Sequence, residues 1–241
     1  MDLICFAIKQ NNRGGFGMPN KIFIIVSLIL IILVIRIKNI GIAFRSINTL
    51  IHELSHAFIA LLTGGHVSEI KLNDNASGSC TTKSKGKFKV FLVSSAGYIF
   101  SALFSYLLFY SLGKSWNHYF FYFFLSISII ALIFWIRNLY GILWTLIFAS
   151  LNLALILIPN TILNFSNHII MVFGFIIAID NFFATLWLCY ISITQPKKAG
   201  DATNIAKTTK IPAIFWALIF LSISILIGYK SYLIFLPLFK L

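Results

Sequence analysis

Apolar residues run along this chain in long continuous stretches, not in alternation. Seven such runs cover about 21–38, 43–63, 88–113, 117–136, 139–158, 168–194 and 211–228. A helix needs roughly 20 apolar residues to cross the hydrocarbon core of a bilayer. Each run therefore predicts a transmembrane helix, and their continuity excludes a closed barrel, whose strands would alternate. The tail at 229–241 is apolar but short and contains Pro237, which predicts a segment lying at the interface.

Two stretches break the pattern. Residues 64–87 hold Gly64-Gly65, Asn73-Asp74-Asn75, Gly78-Ser79 and several lysines, and Val67 to Leu72 alternate in polarity, which predicts a small strand or hairpin outside the membrane. Residues 195–210 hold Pro196, Lys197-Lys198 and Gly200-Asp201, which predicts a polar loop with a helical turn starting near Asp201. The fold class that follows is an all-α polytopic membrane protein. It has about seven transmembrane helices and a small polar hairpin or loop, and the whole of 1–241 forms one membrane-embedded domain.

Composition reinforces this reading. Of the 241 residues, 59% are hydrophobic and only 10% are charged, against about 25% charged in soluble domains. The net charge of +13 raises the question of nucleic acid. The Lys and Arg residues, however, sit in short loops between apolar runs, where they set topology and meet anionic headgroups. No nucleic-acid partner is expected; the lipid bilayer is. With the N-terminus cytoplasmic, 13 of the Lys and Arg residues fall inside and 6 outside, which favours that orientation. The expected location is a multi-pass protein of a bacterial plasma membrane. The run at Lys21–Ile35 has basic residues before it, as a signal peptide would. Arg36-Ile37-Lys38 follows it without a small-residue cleavage site, so it reads as a retained first helix. Three cysteines (Cys5, Cys80, Cys189) make neither a disulfide framework nor a CxxC metal pair.

Chemistry enters at His52-Glu53-Leu54-Ser55-His56, inside the second apolar run. On a helix, positions i and i+4 share one face about 5–6 Å apart, so two imidazoles can reach one zinc ion at about 2.0–2.1 Å. Glu53 can point at a water on that metal and act as general base. His52 falls about ten residues into its helix, roughly 15 Å deep. Two histidines and a glutamate at mid-membrane are costly unless paired or bound to something. A catalytic zinc takes three protein ligands. Among the acids downstream, Asp180 alone lies in an apolar helix, about twelve residues after His168 and so at matching depth. It is the candidate third ligand, with a polar contact to Asn181 or a Ser/Thr side chain as the plainer reading. Asp201, in a polar lysine-bearing loop, is the alternative ligand; it can equally be a solvated acid or a helix cap. Asn138 is either a donor to a substrate carbonyl or oxyanion or an interfacial helix cap.

At these residues the chain resembles the site-2 protease superfamily of intramembrane zinc metalloproteases, in particular its small peptidase branch. The resemblance is carried by HELSHAFIALLTGG (His52 to Gly65), Gly78-Ser79-Cys80-Thr81, Ser95-Ala96-Gly97-Tyr98, Arg137-Asn138-Leu139-Tyr140-Gly141 and Asp180. It ends with Gly200-Asp201-Ala202 ahead of an IPAIFW helix. It spans most of 45–220. It implies a metalloprotease core over about 43–194 with a following helix at 211–228. It also implies His52 and His56 as Zn2+ ligands, Glu53 as the catalytic acid/base, and Asp180 in the place of the family's Leu-Asp-Gly aspartate. The chain departs from that pattern: it reads Ile179-Asp180-Asn181, lacks an Asn-Pro-x-Pro element before it, and has Ser55 where Gly is usual.

The expected function is zinc-dependent hydrolysis of peptide bonds in membrane-spanning or juxtamembrane substrates. The alternative is a non-catalytic membrane binding or regulatory module that keeps the fold. A metal transporter is a third reading, disfavoured by a single compact cluster and the lack of a visible repeat.

Overall fold

The structure, a computed structural model, describes residues 19–114, 116–157 and 161–239, with the backbone alone at 161–164, 238 and 239. The described residues form eight helices and one hairpin: α1 (Lys21–Val34), α2 (Ile40–Leu62), β1 (His66–Leu72), β2 (Gly78–Lys83), α3 (Lys87–Ser111), α4 (Tyr119–Phe134), α5 (Leu139–Leu157), α6 (Thr161–Thr194), α7 (Gly200–Thr209) and α8 (Ala213–Phe239). Each apolar run of the sequence is a helix. Four of them are long and apolar enough to cross a membrane: Lys87–Ser111, Leu139–Leu157, Phe165–Thr194 and Ala213–Pro237. The count of seven spans is not reached. α1 and α4 have 14 and 16 residues, about 21–24 Å at 1.5 Å per residue against a core of about 30 Å. α2 has the length, but Arg45, His52, Glu53 and His56 dilute its apolar character. Ile, Leu and Phe side chains stand exposed along the four long helices. The chain is an integral membrane protein.

α3 is the central helix, packed against α2, α6, α7 and α8, while α4 and α5 pair on one flank. Its inward positions are small: Ser94, Ala96, Gly97, Ser101, Ala102 and Ser105 are buried. In lipid, where apolar association has little driving force, such residues let backbones approach closely and gain packing. The core around them includes fully buried Phe109, Phe121 and Phe124.

α2 ends where Gly64 takes a positive φ of 71°, a left-handed stop that glycine adopts without strain. The hairpin that follows does not project beyond the helix. It doubles back along α2, so that the Ala76 carbonyl at its tip accepts a hydrogen bond from Thr49 Oγ1 at 2.8 Å. β1 and β2 are antiparallel, from His66 opposite Lys83 to Leu72 opposite Gly78, with an irregularity between Val67 and Glu69. β1 is anchored on its far side too: the Ile70 N–H donates to the Trp135 carbonyl at 2.9 Å, and Val67, Ile70 and Leu72 are buried. The other edge of β2 has no strand partner among the described residues.

α8 runs on to Phe239 with Pro237 inside it. The tail expected at the interface is thus largely a continuation of this helix.

Candidate metal centre

His52 and His56 leave α2 on one face, as the i, i+4 spacing requires. Their Nε2 atoms are 3.1 Å apart. A carboxylate oxygen completes a triangle with them: Asp201 Oδ2 lies 3.3 Å from each. Three ligand atoms bonded to one zinc at about 2.0–2.1 Å and tetrahedral angles stand about 3.3 Å from one another. The observed separations match that figure. The donor set, two imidazoles and a carboxylate, is one that zinc takes at catalytic sites. Among the described residues this is the one group of three His, Cys, Asp or Glu side chains that converges closely enough to hold a metal ion.

Neighbouring groups hold the ligands in place. His56 Nδ1 lies 2.7 Å from the Val93 carbonyl of α3. A proton on Nδ1 makes that bond and leaves Nε2 free as a ligand. The His52 ring is seated edge-on against Tyr98, with centroids 4.5 Å apart. It also occupies the space where Gly97 has no side chain; a Cβ there would overlap the imidazole. Gly78 does the same for Glu53, whose Oε1 lies 2.5 Å from where a Cβ would stand. The weak sequence signals around Gly78 and Gly97 are therefore clearances for the two chemical side chains.

Glu53 is 5% exposed, and among the described residues its carboxylate makes no hydrogen bond. It lines a cavity of about 950 Å³ together with His52, His56 and Asp201. Along one wall run Ser77 to Cys80 and Thr82 of the hairpin. Asp201 stands outside the long helices, on α7. Its burial alone would raise its pKa, but the two imidazoles outweigh that and hold it well below the usual carboxylate range. That favours the ionised form, which a metal ligand has to have. Cys80, on β2, is pushed the other way: burial, then Glu53 and Asp201, raise its thiol to about 12.

The third position is where the sequence expectation and the structure part. Asp180 does not reach the histidines. Its Oδ1 accepts from Arg45 Nε at 2.6 Å and its Oδ2 from Asn48 Nδ2 at 2.9 Å. The premise that a buried carboxylate needs a partner holds, but the partners are a cation and an amide on α2. Asp180 does sit near the middle of its apolar span, Phe165–Thr194, but it meets α2 at Arg45 and Asn48, about one to two turns before His52. The lysines around Asp201 give it the look of a solvated acid in sequence. The missed signal is the spacing of Ala199, Ala202 and Ile205, all buried, which marks an apolar face on a short helix that docks inward. The group of three thus takes in a residue beyond 194, Asp201 on α7.

Asn138 does not line the cavity. Its side chain bonds both the N–H and the carbonyl of Leu72, fastening the end of β1 to the start of α5. Neither a substrate donor nor a helix cap describes these bonds, whose partner is the hairpin backbone.

A search of curated proteins and of solved structures finds no match. The Peptidase M50B-like family matches residues 25–230, which takes in both histidines, Glu53 and Asp201. The chain belongs to the Peptidase M50B-like family, within the site-2 proteases.

Proposed function

We propose that this protein is a zinc-dependent intramembrane endopeptidase that hydrolyses peptide bonds in membrane-spanning or juxtamembrane segments of other proteins. The observation that carries the reading is the triangle of His52 Nε2, His56 Nε2 and Asp201 Oδ2, with sides of 3.1 and 3.3 Å, opening onto the cavity that Glu53 lines. When bound, zinc supplies Lewis acidity, polarising a carbonyl and acidifying a water.

The chain's own residues supply the rest. His52, His56 and Asp201 hold the ion. Glu53, with no hydrogen bond of its own among the described residues, takes a proton from the attacking water and passes it to the leaving amine. A substrate helix hides its carbonyls and has to unwind. The unpartnered edge of β2, which runs along the cavity, offers backbone groups to hold the unwound segment extended. A cytoplasmic N-terminus and a bacterial plasma membrane belong to the same proposal; the Lys and Arg count over seven crossings, 13 against 6, supports the first.

The test is Glu53→Gln in the full chain, reconstituted in lipid with a single-span substrate, with zinc per chain quantified. Cleavage should fall at least about a thousandfold with zinc retained, since the general base and the proton it carries are lost together. Unchanged cleavage with zinc bound would sink the mechanism. A zinc-loaded wild-type protein that cleaves no substrate of a broad panel would favour the non-catalytic module.

A further inference from the structure

Arg45, Asn48 and His52 lie at i, i+3 and i+7 on α2, so they form one stripe along its cavity face. Arg45 stands two turns before His52, about 10 Å along the axis at 1.5 Å per residue. Both it and Asn48 line the same cavity as the metal-binding group.

Asp180 fixes both side chains, but it does not use them up. It takes Arg45 through Nε, at 2.6 Å, and among the described residues the guanidinium has no other hydrogen-bond partner; the side chain is 39% exposed. An Arg carries five N–H donors, so the fork of its two terminal nitrogens is free. Asn48 is 4% exposed. Its Nδ2 donates to Asp180 at 2.9 Å, which settles the orientation of the amide, and its buried Oδ1 has no partner among the described residues. A second cation, Arg36, lines the cavity as well. It is held against the Phe183 ring at 4.0 Å and not against a carboxylate.

Asp180 takes one donor on each oxygen, from Arg45 and from Asn48, and leaves the Arg45 fork and the Asn48 oxygen unused among the described residues. A buried amide oxygen left without a donor costs about 1–3 kcal/mol. Arg36 and Arg45 both line this end of the cavity, and among the described residues only Arg45 pairs with its carboxylate, Asp180, which leaves surplus positive charge there. An occupant that offsets the surplus charge brings a negative group to the arginines. Guanidinium forks match carboxylates in shape and charge. An extended peptide advances about 3.3–3.6 Å per residue, so the 10 Å between Arg45 and His52 spans about three residues.

We propose that the Arg36–Arg45–Asn48 end of the cavity is a subsite for a substrate carboxylate about three residues from the scissile bond, either an acidic side chain or a free C-terminus. This rests on the peptidase reading of the metal centre, and its test separates the two.

The probes are fluorescein-labelled apolar decapeptides in two matched pairs: one internal Glu against Gln with blocked ends, and a free C-terminal acid against its amide. Binding is measured by anisotropy to the zinc-loaded Glu53→Gln full chain in lipid nanodiscs, so that no cleavage intervenes. One acid-bearing peptide should bind at least tenfold tighter than its neutral counterpart, and the pair that shows the difference identifies the source of the carboxylate. Arg36→Gln should reduce the preference and Arg45→Gln/Asp180→Asn should abolish it. The double variant removes both charges together, so no carboxylate is stranded and folding is preserved. Equal binding within both pairs, or a preference that survives both variants, overturns the proposal. With the wild type, the cut should fall about three residues from the preferred carboxylate, and a cut adjacent to it overturns the spacing. A wild type that keeps the carboxylate preference but cleaves nothing would retire the peptidase reading and leave the binding subsite standing.

Discussion

Arg45 and Asp180, from α2 and α6, meet at 2.6 Å, and this contact takes Asp180 out of reach of the histidines that its depth in the sequence had suggested it serves. The two aspartates should therefore separate cleanly in a metal assay. Asp201→Asn should bring the purified protein from about one zinc per chain to well under half, because a ligand is lost. Asp180→Asn should leave zinc content unchanged. Atomic absorption on both variants decides the matter; zinc lost from Asp180→Asn and kept in Asp201→Asn would reverse the assignment.

Gly97 is the floor on which the His52 ring rests. Gly97→Ala should leave the helices in place, since an imidazole can swing away from a methyl group. The swing carries Nε2 out of the triangle. Zinc affinity should fall at least about tenfold, in the range seen when the groups that orient metal ligands are altered. Competition with a chromophoric chelator measures it, and unchanged affinity would show that the ring has another seat.

Asn138 makes its two bonds to Leu72, which is fully buried. Asn138→Ala leaves a backbone N–H and carbonyl without partners, at a cost of about 1–3 kcal/mol. The loss should appear as faster hydrogen exchange at β1 amides, with zinc binding retained. A loss of activity with hairpin exchange unaltered would instead return Asn138 to a role at the substrate.

Cys80 has its thiol pushed up to about 12 by burial, then by the Glu53 and Asp201 charges. The reactive species is the thiolate, and a raised pKa means that the neutral thiol persists as pH climbs through 8 and 9. In a Cys5→Ser/Cys189→Ser background, metal-free protein should react with iodoacetamide at pH 8 at least about tenfold more slowly than a free thiol does. The rate should keep rising with pH beyond 10, where an ordinary cysteine has levelled off. A plateau near pH 9 would show that the thiol is not so placed.

How much of this was legible in advance depends on what each residue's neighbours in sequence reveal. The HELSH pair announced itself because helical spacing alone puts both imidazoles on one face, whatever surrounds them. The apolar runs gave helices for the same reason: backbone hydrogen bonds have no alternative in lipid. Asp180 and Asp201 were harder, because which of them meets α2 is fixed by how α6 and α7 pack and not by local pattern. The hairpin's polarity suggested a solvent loop, yet Val67, Ile70 and Leu72 turn inward and draw it back along α2. Pro237 looked like a stop. It falls within the last turn of α8, where losing one backbone bond comes too late to end a helix that 229–236 already extend.

The third corner of the triangle sits on α7, after all but one of the helices long enough to span the bilayer. During synthesis, His52 and His56 enter the membrane early, while Asp201 arrives only when most of the chain has been made. Until then the pair of imidazoles lacks its anion. The order of residues along the polypeptide thus fixes the order in which the three corners become available, the two from α2 first and the carboxylate of α7 after most of the scaffold has been made.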